Sequence, residues 1–257
     1  MKNILFCGKK EKFDGILTSM LSILKRSDYD NAYTFYIYTV KNEQNDPIVD
    51  KHIDFLNDIA VGFNVDNKVI KIDVTEIYNS EYNNIKTLNY YSSTALMRML
   101  VDLVPNMPEK MLYVDANLIF NKDINMVYDI NIDNYEFAVG HDLKCSIDSE
   151  IVLLNINKIK ESNTLVKTRE IVKNNEVKSI MDDAVITVTD SYLAISKMIN
   201  KEKVLQNKNV IKEFLKIVAE KRYAQTDDKV LKDKKFSDIY EEYKELKNIY
   251  FGYYTAC

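Results

Sequence analysis

The feature that most constrains this chain is the regular alternation of strand-like and helix-like stretches through its first half. "KNILFC" (2–7) reads as a short buried strand, and "FDGILTSMLSILKR" (13–26) repeats apolar residues with helical spacing at Ile16, Met20, Ile23 and Leu24. "YTFYIYTV" (33–40) is β-branched and aromatic, hence a strand. "PIVDKHIDFLNDIA" (47–60) opens with Pro47 and carries Ile53, Leu56 and Ile59 at helical period. "KVIKID" (68–73) is a third strand. "SSTALMRMLVDLV" (92–104) predicts a helix capped by Ser92, striped by Leu96, Met99, Leu100 and Leu103, and ended by Pro105. "KMLYV" (110–114) is the fourth strand. Strands separated by helices predict an α/β fold with a mainly parallel sheet covered on both faces. Ligands of such sheets bind beyond the carboxyl ends of the strands, and Asp115 stands at one of those ends.

The second half is less regular. "EFAVGHD" (136–142) and "SEIVLLNI" (149–156) read as strands, and "TLVKTREIVKN" (164–174) as a helix. "DDAVITVT" (182–189) fits either a strand or a helix start. From about 197 the chain turns Lys- and Glu-rich. "NVIKEFLKIVAEKRY" (209–223) and "FSDIYEEYKELKNIYF" (236–251) each show an apolar stripe, so two amphipathic helices are expected to pack on the domain. With 257 residues, 46% of them hydrophobic, a sizeable core is available. The expected division is a main α/β domain over 1–195 and a helical extension over 196–257 packed on it. The aromatic end, "YFGYYTAC", needs cover from the domain or from a second protomer.

Composition excludes several classes. Net charge is -4 with acids interleaved among the bases, which gives no nucleic-acid footprint. Cys7, Cys145 and Cys257 are too few and too scattered for a disulfide framework or a zinc ribbon. The apolar run at the N-terminus is too short for a signal peptide or a membrane span. A cytoplasmic setting is therefore expected. His52 and His141 stand alone, and an isolated His is more often structural than a ligand.

The stretch "VDAN" (114–117) has two readings on its residues alone. Asp115 and Asn117 are placed like a metal-binding pair in which an amide replaces one carboxylate. They equally suit a strand-to-loop turn that Asp115 caps and Asn117 fills. Arg98, on its residues alone, is an exposed helix Arg or the partner of Asp102 one helical turn on.

"SSTALMRMLVDLVPNMPEKMLYVDANLIF" resembles the central block of glycosyltransferase family 8, retaining enzymes in which a Ser- and Arg-bearing helix leads through a Pro-containing turn into a strand ending "YLDxD". Arg98, Pro105, Tyr113 and Asp115 follow that order. "DSEIVLLNINKIKES" (148–162) is similar to the family's "NSGVLLINLKKW", and "MDDAVIT" (181–187) falls where the family has "DQDxLN". The resemblance covers about residues 1–190. It implies a GT-A-type, Rossmann-like nucleotide-sugar-binding domain that transfers a hexose with retention from a nucleotide sugar, UDP-linked in the usual case, to an unknown acceptor. It implies Mn2+ or Mg2+ held by Asp115 and Asn117, because hard cations take oxygen ligands and offset charge on the leaving diphosphate. It implies donor contacts from Ser92, Asp115, Asn117, Asp148, Ser149, Lys9 and Lys10. Arg98 would reach the sugar, and Asp182 or Asp183 would face the reacting carbon.

The chain departs from the family pattern at several points. Asn117 is uncharged where the second Asp of the metal motif stands, which should weaken metal binding. Glu150 falls on the Gly of "NSG", Met181 falls on the first Asp of "DQD", and the C-terminal "HxxGxxKPW" block has no counterpart. Two further readings follow. One is a catalytically inactive member acting as a binding or partner subunit, to itself as a homo-oligomer or to an active glycosyltransferase. The other is a metal-free site in which Lys9, Lys10 or a base on a C-terminal helix offsets the diphosphate charge, which requires a Lys or Arg within hydrogen-bond reach of the space in front of Asp115.

Overall fold

The computed structural model describes residues 1–43, 45–82, 92–141, 147–174, 192–194, 219–221 and 229–254. The strands are β1 (Lys2–Cys7), β2 (Tyr33–Thr39), β3 (Lys68–Asp73), β4 (Lys110–Val114), β5 (Leu118–Phe120), β6 (Phe137–His141), β7 (Ile147–Asn155), β8 (Tyr192–Ala194) and β9 (Ala219–Lys221). The helices are α1 (Phe13–Arg26), α2 (Asp50–Phe63), α3 (Thr75–Tyr82), α4 (Ser93–Arg98), α5 (Asn125–Tyr128), α6 (Ile156–Ser162), α7 (Thr164–Lys173) and α8 (Ser237–Tyr254).

Seven strands form one sheet in the order β3-β2-β1-β4-β7-β6-β8. β1 is parallel to both β2 and β4, β2 to β3, and β6 to β8, whereas β7 runs antiparallel to β4 and β6. The central strands read as continuous apolar runs because both their faces are covered. In β1, Ile4 and Phe6 face one core with α1, α2 and α8; Leu5 and Cys7 face the other with α3, α4, α6 and α7. The first core also takes Leu231, Phe236, Ile239, Tyr243 and Tyr250, so the C-terminal helix packs on the same layer as α1. Tyr250 closes that layer between Phe13 and His52, at ring-centroid distances of 4.8 and 5.6 Å, while Phe251 beside it is exposed.

Two elements differ from the sequence expectation. The helix expected over 92–104 holds only to Arg98, and single turns carry the chain on to Val104. Met99, Leu100 and Val101 are all buried. The Met99 carbonyl, which a continuing helix would pair with the Leu103 N–H, accepts from Arg169 at 2.6 Å, and that N–H donates to the Leu100 carbonyl instead. The helix expected over 209–223 contains strand β9, which pairs antiparallel with β5, Leu118 opposite Lys221 and Phe120 opposite Ala219. β5 is apolar at every position and fully buried, and its backbone groups take a strand partner there. "DDAVITVT" and residues 209–218 lie outside the described residues.

Candidate functional site

β1 and β4 lie side by side, Ile4 opposite Leu112 and Leu5 opposite Tyr113, so their carboxyl ends open at one edge of the sheet. β7 brings its first residues to the same edge, with Ile151 opposite Val114 and the Asp115 N–H donating to the Glu150 carbonyl at 2.8 Å. Consecutive strands leave β1 in opposite directions, β2 and β3 to one side and β4 to the other. Such a switch in strand order leaves a crevice above the strand ends.

Asp115 is half-buried in that crevice. Its Oδ1 accepts the Asn117 N–H at 2.8 Å, and its carbonyl accepts the Leu118 N–H at 3.2 Å. The carboxylate therefore closes the turn into β5, the capping role that its position suits. Ala116 between them is buried beneath α1. A Cβ added to Gly15 would stand 2.4 Å from the Ala116 carbonyl oxygen, so a residue without a side chain is what lets helix and loop approach this closely.

Arg98 ends α4, and its guanidinium lies over the Tyr113 ring, 5.1 Å from the centroid. Tyr113 is buried and presents a π face to the cation. Asp102, the alternative partner for Arg98, instead takes a two-pronged ion pair from Arg169 at 2.7 and 2.8 Å. Arg98 and Asp115 both act on the buried Cys7 thiol. Burial pushes that thiol well above its ordinary range, Arg98 opposes the shift and Asp115 adds to it. Opposite charges thus flank the end of β1.

Ser92 is exposed and caps α4, accepting the Ala95 N–H at 3.2 Å. Asp148 and Ser149 lie in β7 at the same sheet edge as Asp115. Lys9 pairs with Glu11 at 3.1 Å. Lys10 is exposed; its charge, with that of Lys51, helps hold the buried His52 down to about 4, an effect led by desolvation. Asp182 and Asp183 lie outside the described residues.

The structure adds Lys12, the residue before α1, whose Nζ lies 3.5 Å from the Asn117 Oδ1. Two residues before it stands Lys10, and only the packing of α1 on the loop after β4 distinguishes them. Asp115 and Asn117 match a divalent cation poorly. One Asp115 oxygen is committed to the turn, the Asn117 amide is neutral, and an ammonium already faces it. A hard cation favours six or more oxygens. Among the described residues, no three His, Cys, Asp or Glu side chains converge on a point.

The architecture is that of the GT-A glycosyltransferases. The galactosyltransferase LgtC, determined in complex with donor and acceptor sugar analogues, superposes with a TM-score of 0.67 at 12% identity, covering 96% of this chain and 95% of its own. The glycosyltransferase GlyE of Streptococcus pneumoniae TIGR4 superposes with a TM-score of 0.61 at 13% identity over 98% of this chain and 64% of its own. A curated Haemophilus influenzae protein named as a glycosyltransferase is 27% identical over 186 residues, 65% of this chain. The chain spans about half, 52%, of that relative's length. Residues 3–179 match the model of glycosyl transferase family 8. The chain belongs to glycosyl transferase family 8.

No described helix is long and apolar enough to cross a membrane.

Proposed function

We propose that this protein transfers a hexose from a nucleotide-sugar donor, most simply a UDP-sugar, to an acceptor hydroxyl with retention of anomeric configuration. The observation that carries the reading is the placement of Asp115, Asn117 and Arg98 around the switch point between β1 and β4, where α/β sheets of this order bind ligands. Family membership and the LgtC structure, bound to donor and acceptor analogues, support it.

In this reading the bond between the anomeric carbon and the diphosphate breaks, the acceptor oxygen bonds to that carbon, and the hydroxyl proton passes to an oxygen of the departing diphosphate. Arg98, steadied over Tyr113, contacts the sugar or its phosphate. Asp115 holds the loop after β4 in shape and orients the donor. Ser92, before α4, and Asp148 and Ser149, in β7, are assigned as donor contacts. Asp182 or Asp183 stabilises the positive charge that grows on the sugar. The acceptor is a glycan or a protein.

The test is release of UDP from a panel of UDP-hexoses, with the product's anomeric configuration read by NMR. The expected result is turnover of one donor, an α-linked product from an α-linked donor, and loss of both turnover and UDP binding in Asp115→Ala. A correctly folded protein that binds no nucleoside diphosphate would contradict the proposal and favour a partner-subunit role.

A further inference from the structure

We propose that Lys12 offsets the donor's diphosphate charge, in the role that the second carboxylate of an acidic pair would otherwise give to a divalent cation. This rests on the nucleotide-sugar reading above and specifies how this site meets the anionic part of the donor.

Three observations carry it. First, the Lys12 ammonium lies against the loop after β4, 3.5 Å from the Asn117 amide oxygen. At that distance the contact is long for a hydrogen bond, so the ammonium is placed but lightly held. Second, no carboxylate pairs with Lys12 among the described residues, whereas its neighbour Lys9 is matched to Glu11, Lys2 to Asp129 and Lys173 to Glu81. A half-buried lysine whose one described contact is a neutral amide is available to a phosphate. Third, the backbone that carries Lys12 cannot drift from the loop. The contact of Gly15 with the Ala116 carbonyl fixes the first turn of α1 against residues 115–117. The point from which the Lys12 side chain extends is therefore fixed against residues 115–117.

The chemistry is consistent with these placements. A lysine is a compact point charge suited to phosphate oxygens. Its attraction grows as negative charge builds on the departing diphosphate, which is the interaction that accelerates transfer. Asn117, being neutral, leaves that charge unspent, where an Asp in its place would neutralise it.

The experiment is calorimetric titration of UDP into the full chain in EDTA, then with added Mn2+, for wild type, Lys12→Met and Lys12→Arg. The expected result is UDP binding by wild type in EDTA, weakened by about tenfold or more in Lys12→Met and restored to within about threefold in Lys12→Arg. Matching melting temperatures establish that the variants fold; Lys12→Gln replaces Lys12→Met if that variant does not. Binding that needs Mn2+, or that is unchanged in Lys12→Met, overturns the role of Lys12 and leaves the transferase reading standing. If wild type binds no nucleoside diphosphate in either condition, both fall.

Discussion

Gly15 in α1 and Ala116 in the loop after β4 are in backbone contact, close enough that a single added methyl would stand 2.4 Å from the Ala116 carbonyl oxygen. This contact sets the height of α1 above the sheet and brings the chain segment before the helix to the site. Gly15→Ala should therefore act on both stability and the site. Neither the helix backbone nor the loop can yield locally, so the expected cost is about 1–3 kcal/mol in urea denaturation, with weaker UDP binding in the folded fraction. Gly62, in α2, has nothing within 4 Å of an added Cβ. Gly62→Ala should be neutral or gain up to about 1 kcal/mol through helix propensity. Equal effects at the two positions would show that the close approach at Gly15 is not limiting.

Arg169 is a structural cation. It is almost wholly buried, grips both oxygens of Asp102 and donates to the Met99 carbonyl at 2.6 Å. It thereby ties α7 to the turns that follow Arg98. Asp102→Asn keeps the shape and removes the charge, leaving Glu81, 3.3 Å from the Arg169 Nε, as an acidic partner. Breaking a buried pair from one side costs roughly 3–5 kcal/mol; with Glu81 still present the expected loss is about 3 kcal/mol. A loss under about 1 kcal/mol would place the pair with weak surface bridges.

His52 makes stability fall in mild acid. Its Nδ1 accepts the Val49 N–H at 3.1 Å, which requires that nitrogen to be unprotonated, and its ring is packed against Phe13 and Tyr250. Desolvation first, then Lys51 and Lys10, lowers its pKa to about 4 in the folded state, against an ordinary 6.5. The unfolded chain thus binds the proton more readily between these values. The contribution of neutral His52 is whole above pH 6.5 and is lost as pH falls toward 4, by at most about 3 kcal/mol. Melting temperature measured from pH 7 to 4 should drop more steeply for wild type than for His52→Gln. Parallel profiles would remove His52 as the cause.

The fold was legible where burial is two-sided and pairing is local in pattern. β1, β3, β4 and α1 fall at the bounds their apolar runs predict, because Ile4 and Phe6 serve one core while Leu5 and Cys7 serve the other. β9 was not legible. Ala219–Lys221 sits inside a stretch of helical period and becomes a strand only because Leu118–Phe120, about a hundred residues earlier, offers a buried edge. The site divides in the same way. Asp115 and Arg98 stand within one continuous motif and could be read from it. Lys12 meets Asn117 across 105 residues of sequence, and no local pattern separates it from Lys9 and Lys10.

Asn117 is the residue whose exchange most directly separates the two ways of holding a diphosphate. In Asn117→Asp, the 3.5 Å contact with Lys12 becomes an ion pair. A half-exposed pair of this kind is worth about 0.5–1 kcal/mol, so UDP affinity in EDTA should fall by roughly two- to fivefold as Lys12 is drawn to the new carboxylate. In the double variant Lys12→Met with Asn117→Asp, the competing ammonium is gone and two carboxylates face the loop, a better match to a hard cation. That variant should bind UDP poorly in EDTA and recover affinity with Mn2+. The cycle of wild type, both single variants and the double variant isolates the coupling between positions 12 and 117. Additive effects without any gained response to Mn2+ would mean that residue 117 lies outside the space the diphosphate occupies.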